Sequence, residues 1–333
     1  MIPESIEYLL QRLYRDGNIT AEEYRKHRDY LMDEILRNAV FTTSTPPTPS
    51  IWTETSDMMK LAHEKMQNHH RMSGLDTGLT DLNTILSGLQ PTQLMLLASR
   101  PAMGKTTLSL NILLNLLKRD CSCAWMTFGG GAGDWGLRLL GIHSGINVSK
   151  ILNQPQDSLA EITESAEAID KMPLSWTDGT GMNIQEIQDS LRNLKSRVPN
   201  LQFALIDDIH EIDMGEENHS INAIVQELKN TAEELNIAIL GLSRVHRRTE
   251  KRRDKRPRHS DIVGGKPLLK YADVVAFLYR DVYYHIDSPE SDIAEIIVAF
   301  NKSGSTGTIK VKVDMLAQQF CNLPKKYLDA SFS

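Results

Sequence analysis

The chain has 333 residues, 41% of them hydrophobic and 24% charged, which excludes a disordered chain and allows one large domain with a small appendage. Its longest apolar stretches, such as residues 94–98 and 111–117, fall far short of the roughly 20 residues that span a bilayer, and no basic-then-apolar leader opens the chain, so a cytoplasmic protein is expected. A net charge of −6 argues against coating nucleic acid by bulk attraction and leaves any such role to local clusters.

Residues 3–39 read as a helical hairpin. Apolar residues recur at helical spacing over 5–14, Asp16-Gly17-Asn18 makes a turn, and Thr20-Ala21-Glu22-Glu23 is a capping box opening a second helix. The Pro/Ser/Thr stretch at 42–50 can neither hold a helix nor build a core. The expected division is therefore a hairpin at 1–41, a linker at 42–52, a helix at 53–72, a main domain at 73–325 and a tail at 326–333. From residue 94 the order is strand, glycine turn, helix, strand, helices, strand, helix, strand, the alternation of a parallel sheet with crossover helices. Strands are predicted at 94–98, 124–128, 203–206, 237–242, 274–279 and 293–300, and helices at 106–118, 184–195 and 221–235. The alternating GTIKVKV at 307–313 predicts an edge or hairpin strand. No internal repeat is visible. Cys121, Cys123 and Cys321 lack a second pair or a nearby histidine, so they read as reduced thiols in or near strands rather than a metal site.

The strongest chemical signal is Ser99-Arg100-Pro101-Ala102-Met103-Gly104-Lys105-Thr106, set between an apolar strand and an apolar-faced helix. In such a loop backbone amides and the helix N-terminus form a positive nest for phosphate oxygens; Lys105 reaches the terminal phosphates and the Thr106 hydroxyl ligates Mg²⁺. Arg100, Pro101, Ala102, Met103, Gly104, Lys105, Thr106 and Thr107 are the expected nucleotide-binding residues. Ser99 stands where the general motif has glycine, so a chance GKT in a loop is the alternative, against which the strand–turn–helix context weighs. Residues 203–208 (FALIDD) form an apolar strand ending in two carboxylates. Asp207 is the expected Mg²⁺ ligand alongside Thr106, with solvated strand-end acids as the alternative. Asp208 follows directly; on an extended strand its side chain would point to the other face, with a bend at the strand end as the alternative.

Further along, residues 244–258 (RVHRRTEKRRDKRPR) carry a basic surplus that fits either a solvated, flexible loop or a phosphate-contacting one. Arg280 and Tyr283 fit the end of a core strand better than a nucleotide contact. His210 reads by default as a hydrogen-bonded core or rim histidine. The run Gly129 to Gly133 suits either a flexible loop or the close approach of a partner.

These motifs, in this order and spacing, make the chain resemble the C-terminal motor domain of DnaB-type replicative helicases. The resemblance rests on residues 73–112 (SGLDTGLTDLNTILSGLQPTQLMLLASRPAMGKTTLSLNI), ALIDDIHEI at 204–212, LSR at 242–244, DKRPRHSDI at 254–262, ADVVAFLYRDVYY at 272–284 and GSTGTIKVKV at 304–313. It implies a RecA-like P-loop fold and a hexameric ring engaged in DNA replication. It further implies ATP with Mg²⁺ held between neighbouring subunits, loops lining a channel for single-stranded DNA, and a linker helix at 53–71 that packs on the adjacent subunit. The basic surplus makes Arg247, Arg248, Arg252 and Arg253 candidate DNA contacts, the resemblance adds Lys266, and a host helicase or other replication protein is a candidate partner.

The departures from the family pattern are also informative. Where the family has a Ser-Leu-Glu-Met segment whose glutamate serves as base on the attacking water, this chain has Thr127-Phe128-Gly129-Gly130-Gly131. His210 stands where the family tends to have a glutamine sensing the terminal phosphate, and Phe300 and Lys302 stand where it has a lysine and an arginine reaching into the neighbouring site. A lysine is a point-charge substitute for a planar guanidinium. The family's Arg-Glu-Ser-Gly-like DNA loop corresponds to Val263-Gly264-Gly265-Lys266, which keeps mobile glycines and one cation. The N-terminal hairpin is too short for the family's collar domain. Three readings follow: a working ATP-driven translocase in which Asp208 serves as the water-orienting base and Lys302 as the finger; a slow or non-catalytic relative that binds nucleotide and docks on DNA or a helicase; and, least supported by the DKRP and LYRD segments, a RecA-type ATPase of the clock or repair kind.

Overall fold

The computed structural model describes residues 73–153, 159–214 and 220–324, together with the isolated positions Thr20 and Met59. The chain separates into two compact units, Met1–Gln67 and Asn68–Ser333, and the second is described below. The predicted hairpin, linker, linker helix and tail lie outside the described residues apart from Thr20 and the helical Met59.

In chain order the main elements are α1 (Thr80–Leu86), β1 (Leu94–Ser99), α2 (Lys105–Leu117), β2 (Ser122–Thr127), α3 (Ala132–Ser144), α4 (Val148–Asn153), α5 (Leu159–Asp170), β3 (Leu174–Asp178), α6 (Ile184–Arg197) and β4 (Leu201–Asp207). They continue with α7 (Ile221–Leu235), β5 (Ala238–Arg244), β6 (Val274–Tyr279), β7 (Ile293–Asn301), β8 (Gly307–Asp314) and β9 (Gln319–Asn322). The described strands form one sheet in the order β3-β2-β4-β5-β1-β6-β7-β8-β9. From β3 to β6 all pairings are parallel; from β6 to β9 they are antiparallel.

Sequence explains the inner strands. β1, β2 and β6 are buried at every residue, as unbroken apolar runs covered by helices on both faces require. On one face Leu97, Leu205 and Leu240 pack with Leu108, Leu110 and Leu113 of α2. On the other, Leu96, Ile206 and Ile239 pack with Ile187 and Leu191 of α6 and with Val225 and Leu228 of α7. The predicted α/β class and parallel-rich sheet are thus what the chain adopts. β8 alternates buried and exposed side chains, matching its alternating sequence. α6 opens with a capping box, Asn183 accepting from the Glu186 amide at 3.0 Å while the Glu186 carboxylate accepts from the Asn183 amide at 2.9 Å.

Strand β3 was not expected from sequence. Its residues LSWTD are half-buried or exposed, because it is an edge strand held on one side only, by β2. The topology fixes where chemistry can occur. The C-terminal ends of β1, β4, β5 and β6 come side by side, and they deliver the phosphate-type loop, Asp207, Arg244 and Arg280 to one rim of the sheet.

Candidate nucleotide site

The loop between β1 and α2 is shaped by positive φ angles at Ala102 (62°) and Gly104 (97°). A side chain at Gly104 would strain the backbone and bring its Cβ within 3.1 Å of Phe320 Cζ, so the turn requires glycine there. Residues 100–107 line a cavity of about 610 Å³, except Met103, which turns into the core at 2% exposure. Arg138 of α3, Asp208, Arg244 and Met315 complete the wall. The first turn of α2 contributes the positive end of its dipole and its unpaired amides to this cavity. Lys105 Nζ donates to Asp208 Oδ2 and to the Ser243 carbonyl, each at 2.8 Å, which holds the ammonium at the floor between β4 and β5.

The two acids behave differently. Burial raises the Asp207 carboxyl above its ordinary value, a push that Lys105 and the Thr106 hydroxyl only partly oppose. Its Oδ2 is buried without a hydrogen-bond partner. Burial also works against the charge on Asp208, but the ammonium of Lys105 and the His210 amide, which donates to Oδ1 at 3.0 Å, outweigh it and hold this carboxyl below the usual range. The expectation that Asp208 points to the other face is corrected. β4 ends at Asp207, so the pleat no longer governs the next residue, and its carboxylate lies on Lys105.

His210 is neutral. Burial lowers its pKa to about 4, and Nε2 accepts from the Arg244 amide at 3.2 Å and lies 2.9 Å from Ser243 Oγ, so the proton sits on Nδ1. The Arg244 guanidinium reaches Asp208 Oδ2 at 3.2 Å and pairs with Glu211.

A magnesium ion suits these donors. One orphaned, buried carboxylate oxygen on Asp207 beside the Thr106 hydroxyl is what a hard cation takes when the remaining ligands are waters and phosphate oxygens. Among the described residues no group of three His, Cys, Asp or Glu forms an all-protein cage.

The altered positions are open to inspection. Gly129 follows β2, and a Cβ built there would meet nothing within 4 Å, so the position at which the family's glutamate is expected carries no side chain and opens on free space. The Gly129 amide instead faces Asp178 Oδ1 at 3.4 Å. Phe300 packs against the core. Lys302 lies at the opposite rim from its own loop: Asn301 pairs with Val274, the first residue of β6, and the Lys302 amide donates to the Asp273 carbonyl at 2.8 Å.

The candidate DNA contacts divide into two kinds. Arg252 is anchored inward, donating to Asp261 Oδ2 at 2.8 Å and to the Arg256 carbonyl at 2.7 Å, while Arg248 approaches Asp261 at 3.8 Å. Arg247 is 87% exposed, with Glu250 3.5 Å away, and Arg253 and Lys266 are exposed. The glycines before Lys266 are not a loose hinge. Gly264 (φ 100°) would bring a Cβ within 2.8 Å of Ile221 Cγ2, and the chain then enters a 3-10 turn at Lys266–Lys270 with Leu268 fully buried.

Sequence reading missed Arg138, Arg244 and Met315. Arg244 carried a signal as the last residue of a strand next to the acid strand. Arg138 and Met315 carried none, because an amphipathic helix and a hairpin turn bring them in from afar.

Comparisons with known proteins agree with this geometry. The family model of the DnaB-like helicase C-terminal domain matches residues 74–322. The chain is 28% identical to the replicative DNA helicase DnaC of Bacillus subtilis (strain 168) over 97% of its own length and 74% of the relative's. It is 29% identical to the replicative DNA helicase DnaB of Geobacillus stearothermophilus over the same shares, 97% and 74%. Among solved structures it superposes on an ATPase domain with a TM-score of 0.78 and 26% identity, covering 82% of this chain and 100% of that one. A DnaB-like replicative helicase studied for its interactions with primase gives 0.76 and 25%, covering 91% and 78%. A Lys105 held between the phosphate-type loop and paired acids, on a sheet of this order and with these relatives, leads to one conclusion: the chain belongs to the DnaB-like helicase C-terminal domain family.

Proposed function

We propose that the protein is an ATP-driven DNA helicase of the replicative type, which assembles as a ring and moves along single-stranded DNA in the cytoplasm. The observation that carries this reading is the Lys105 ammonium, shared at 2.8 Å between Asp208 and the Ser243 carbonyl in a cavity lined by a phosphate-type loop. An arriving triphosphate draws Lys105 onto its terminal phosphates, and the loop amides take the remaining oxygens. Asp208, whose carboxylate Lys105 and the His210 amide hold ready in the free site, then accepts a hydrogen bond from the attacking water. Arg138 and Arg244 offer guanidinium charge at the cavity wall as negative charge develops. When bound through Asp207 and Thr106, Mg²⁺ neutralises charge on the phosphate oxygens.

Lys302, too far from its own loop, serves the site of the adjacent subunit. Arg247, Arg253 and Lys266 take phosphates of the DNA strand, with Arg248 and Arg252 shaping the loop that carries them. Copies of the chain itself, single-stranded DNA and a replication protein such as a primase or host helicase are the partners of this reading.

A second reading, a nucleotide-binding relative with attenuated hydrolysis that regulates or docks on a helicase, is favoured by the open space at Gly129. Strand displacement on a forked duplex separates the two. ATP-dependent unwinding that falls at least about 100-fold in Lys105→Ala supports the motor. Retained ATP binding with no unwinding supports the regulator.

A further inference from the structure

Five arginines among the described residues are half-buried, and four of them have a carboxylate. Arg100 pairs with Glu250 at 2.8 Å, Arg192 with Glu234 at 2.7 Å, Arg252 with Asp261 at 2.8 Å and Arg256 with Glu295 at 2.6 Å. Arg280 is the exception. Its Nε is buried with no hydrogen-bond partner, and its neighbour Asp281 is already engaged by the Tyr279 hydroxyl at 2.8 Å and His285 Nδ1 at 3.1 Å. Burial without a compensating acid lowers the Arg280 pKa. An unpaired guanidinium partly removed from water destabilises the fold, and such a cost persists where a ligand supplies the missing anion.

Topology indicates which anion. β6 runs parallel to β1 with Phe277 opposite Ala98, so Arg280, three residues on, stands level with the phosphate-type loop. Its backbone stays extended beyond Tyr279, with φ −134° and ψ 121°, so the pleat continues and Arg280 leaves on the same side of the sheet as Leu278 and Ala276, the face covered by α2. The sheet order β4-β5-β1-β6 sets Asp207 on one flank of the loop and Arg280 on the other. A triphosphate whose metal-bearing end lies toward β4 therefore runs its nucleoside end toward β6.

We infer that Arg280 is a binding residue for the nucleoside-proximal phosphate of the nucleotide, on the opposite flank of the loop from the Asp207–Asp208 acids. The assignment rests on the ATP-binding reading above and extends it. Such a contact stays with the nucleotide before and after hydrolysis, so it sets affinity for ATP and ADP alike, whereas Lys105 acts on the terminal phosphates.

The test is equilibrium binding of fluorescent ADP and ATP to the full chain, comparing wild type with Arg280→Met and Arg280→Lys, with melting temperatures and single-stranded DNA affinity measured in parallel. In Arg280→Met both nucleotides are expected to bind about 10- to 100-fold more weakly, the span of a charged hydrogen bond, while melting without nucleotide is unchanged or raised. Arg280→Lys, which keeps charge but loses the fork, recovers part of the affinity. Three outcomes overturn the assignment: nucleotide affinity in a folded Arg280 variant within twofold of wild type; a loss confined to DNA, which would make the phosphate that of the strand; or a lowered melting temperature with affinity intact, which would make the arginine structural. A wild-type protein that binds neither ADP nor ATP would instead sink the ATP-binding reading itself.

Discussion

His210 shows how burial sets protonation in this site. Its folded pKa of about 4 lies below the ordinary value of 6.5, so the unfolded chain binds more protons between those values. Stability contributed by neutral His210 is therefore complete above pH 6.5 and declines as pH falls toward 4. His210→Gln should remove that slope. Between pH 7 and pH 5 the wild type should lose roughly 2 kcal/mol more than the variant in denaturant unfolding. Equal losses would mean that the ring is not held neutral. Asp208 has the opposite origin and the same sense of pH dependence, because its lowered pKa makes its ion pair with Lys105 fail only in acid below the ordinary carboxylate range. At this scale the phosphate-type loop was legible because its chemistry is contiguous: Gly104, Lys105 and Thr106 name their own roles. The attachment of Asp208 to Lys105 was not, because it depends on β4 ending one residue earlier.

Elements were legible where their environment is uniform. The runs at 94–98 and 274–279 announced buried strands, and the helix expected at 221–235 forms as Ile221–Leu235, with Ser220 as its cap. β3 was hidden because its alternation rests on Leu174 and Trp176 alone, too short a run to stand out in an edge strand. The segment after residue 262 was misread as mobile, since glycine suits a flexible hinge as well as a tight turn, and only packing distinguishes them. Here packing decides, with Gly264 at positive φ and wedged against Ile221 and Leu268. Gly264→Ala should therefore destabilise by about 1–3 kcal/mol through strain and a steric clash. Gly265→Ala, also at positive φ but with nothing nearer than Pro267 Cδ at 3.7 Å, should cost less. Chemical denaturation of the two variants checks the order, and equal costs would show that backbone conformation alone governs the turn.

For the whole molecule, a net charge of −6 leaves the proposed DNA binding to local cations, and of the candidates Arg247, Arg253 and Lys266 are exposed without the Asp261 contact that Arg248 and Arg252 share. Neutralising those three should flatten the slope of log affinity against log salt by about 2, at roughly 0.7 per phosphate contact on single strands. An unchanged slope would move the DNA path elsewhere. In the ring proposed above, Lys302, placed at the rim away from its own loop and 4.0 Å from Asp273, serves the site of a neighbouring subunit. The central claim is that Asp208, in the absence of a glutamate at Gly129, lets this chain turn over ATP under the control of DNA. Steady-state ATP hydrolysis by the full chain, with and without single-stranded DNA, tests it most directly. The account predicts turnover that DNA accelerates and that Asp208→Asn lowers at least about 100-fold while ATP still binds; turnover unchanged in Asp208→Asn, or ATP bound with no turnover under either condition, would contradict it.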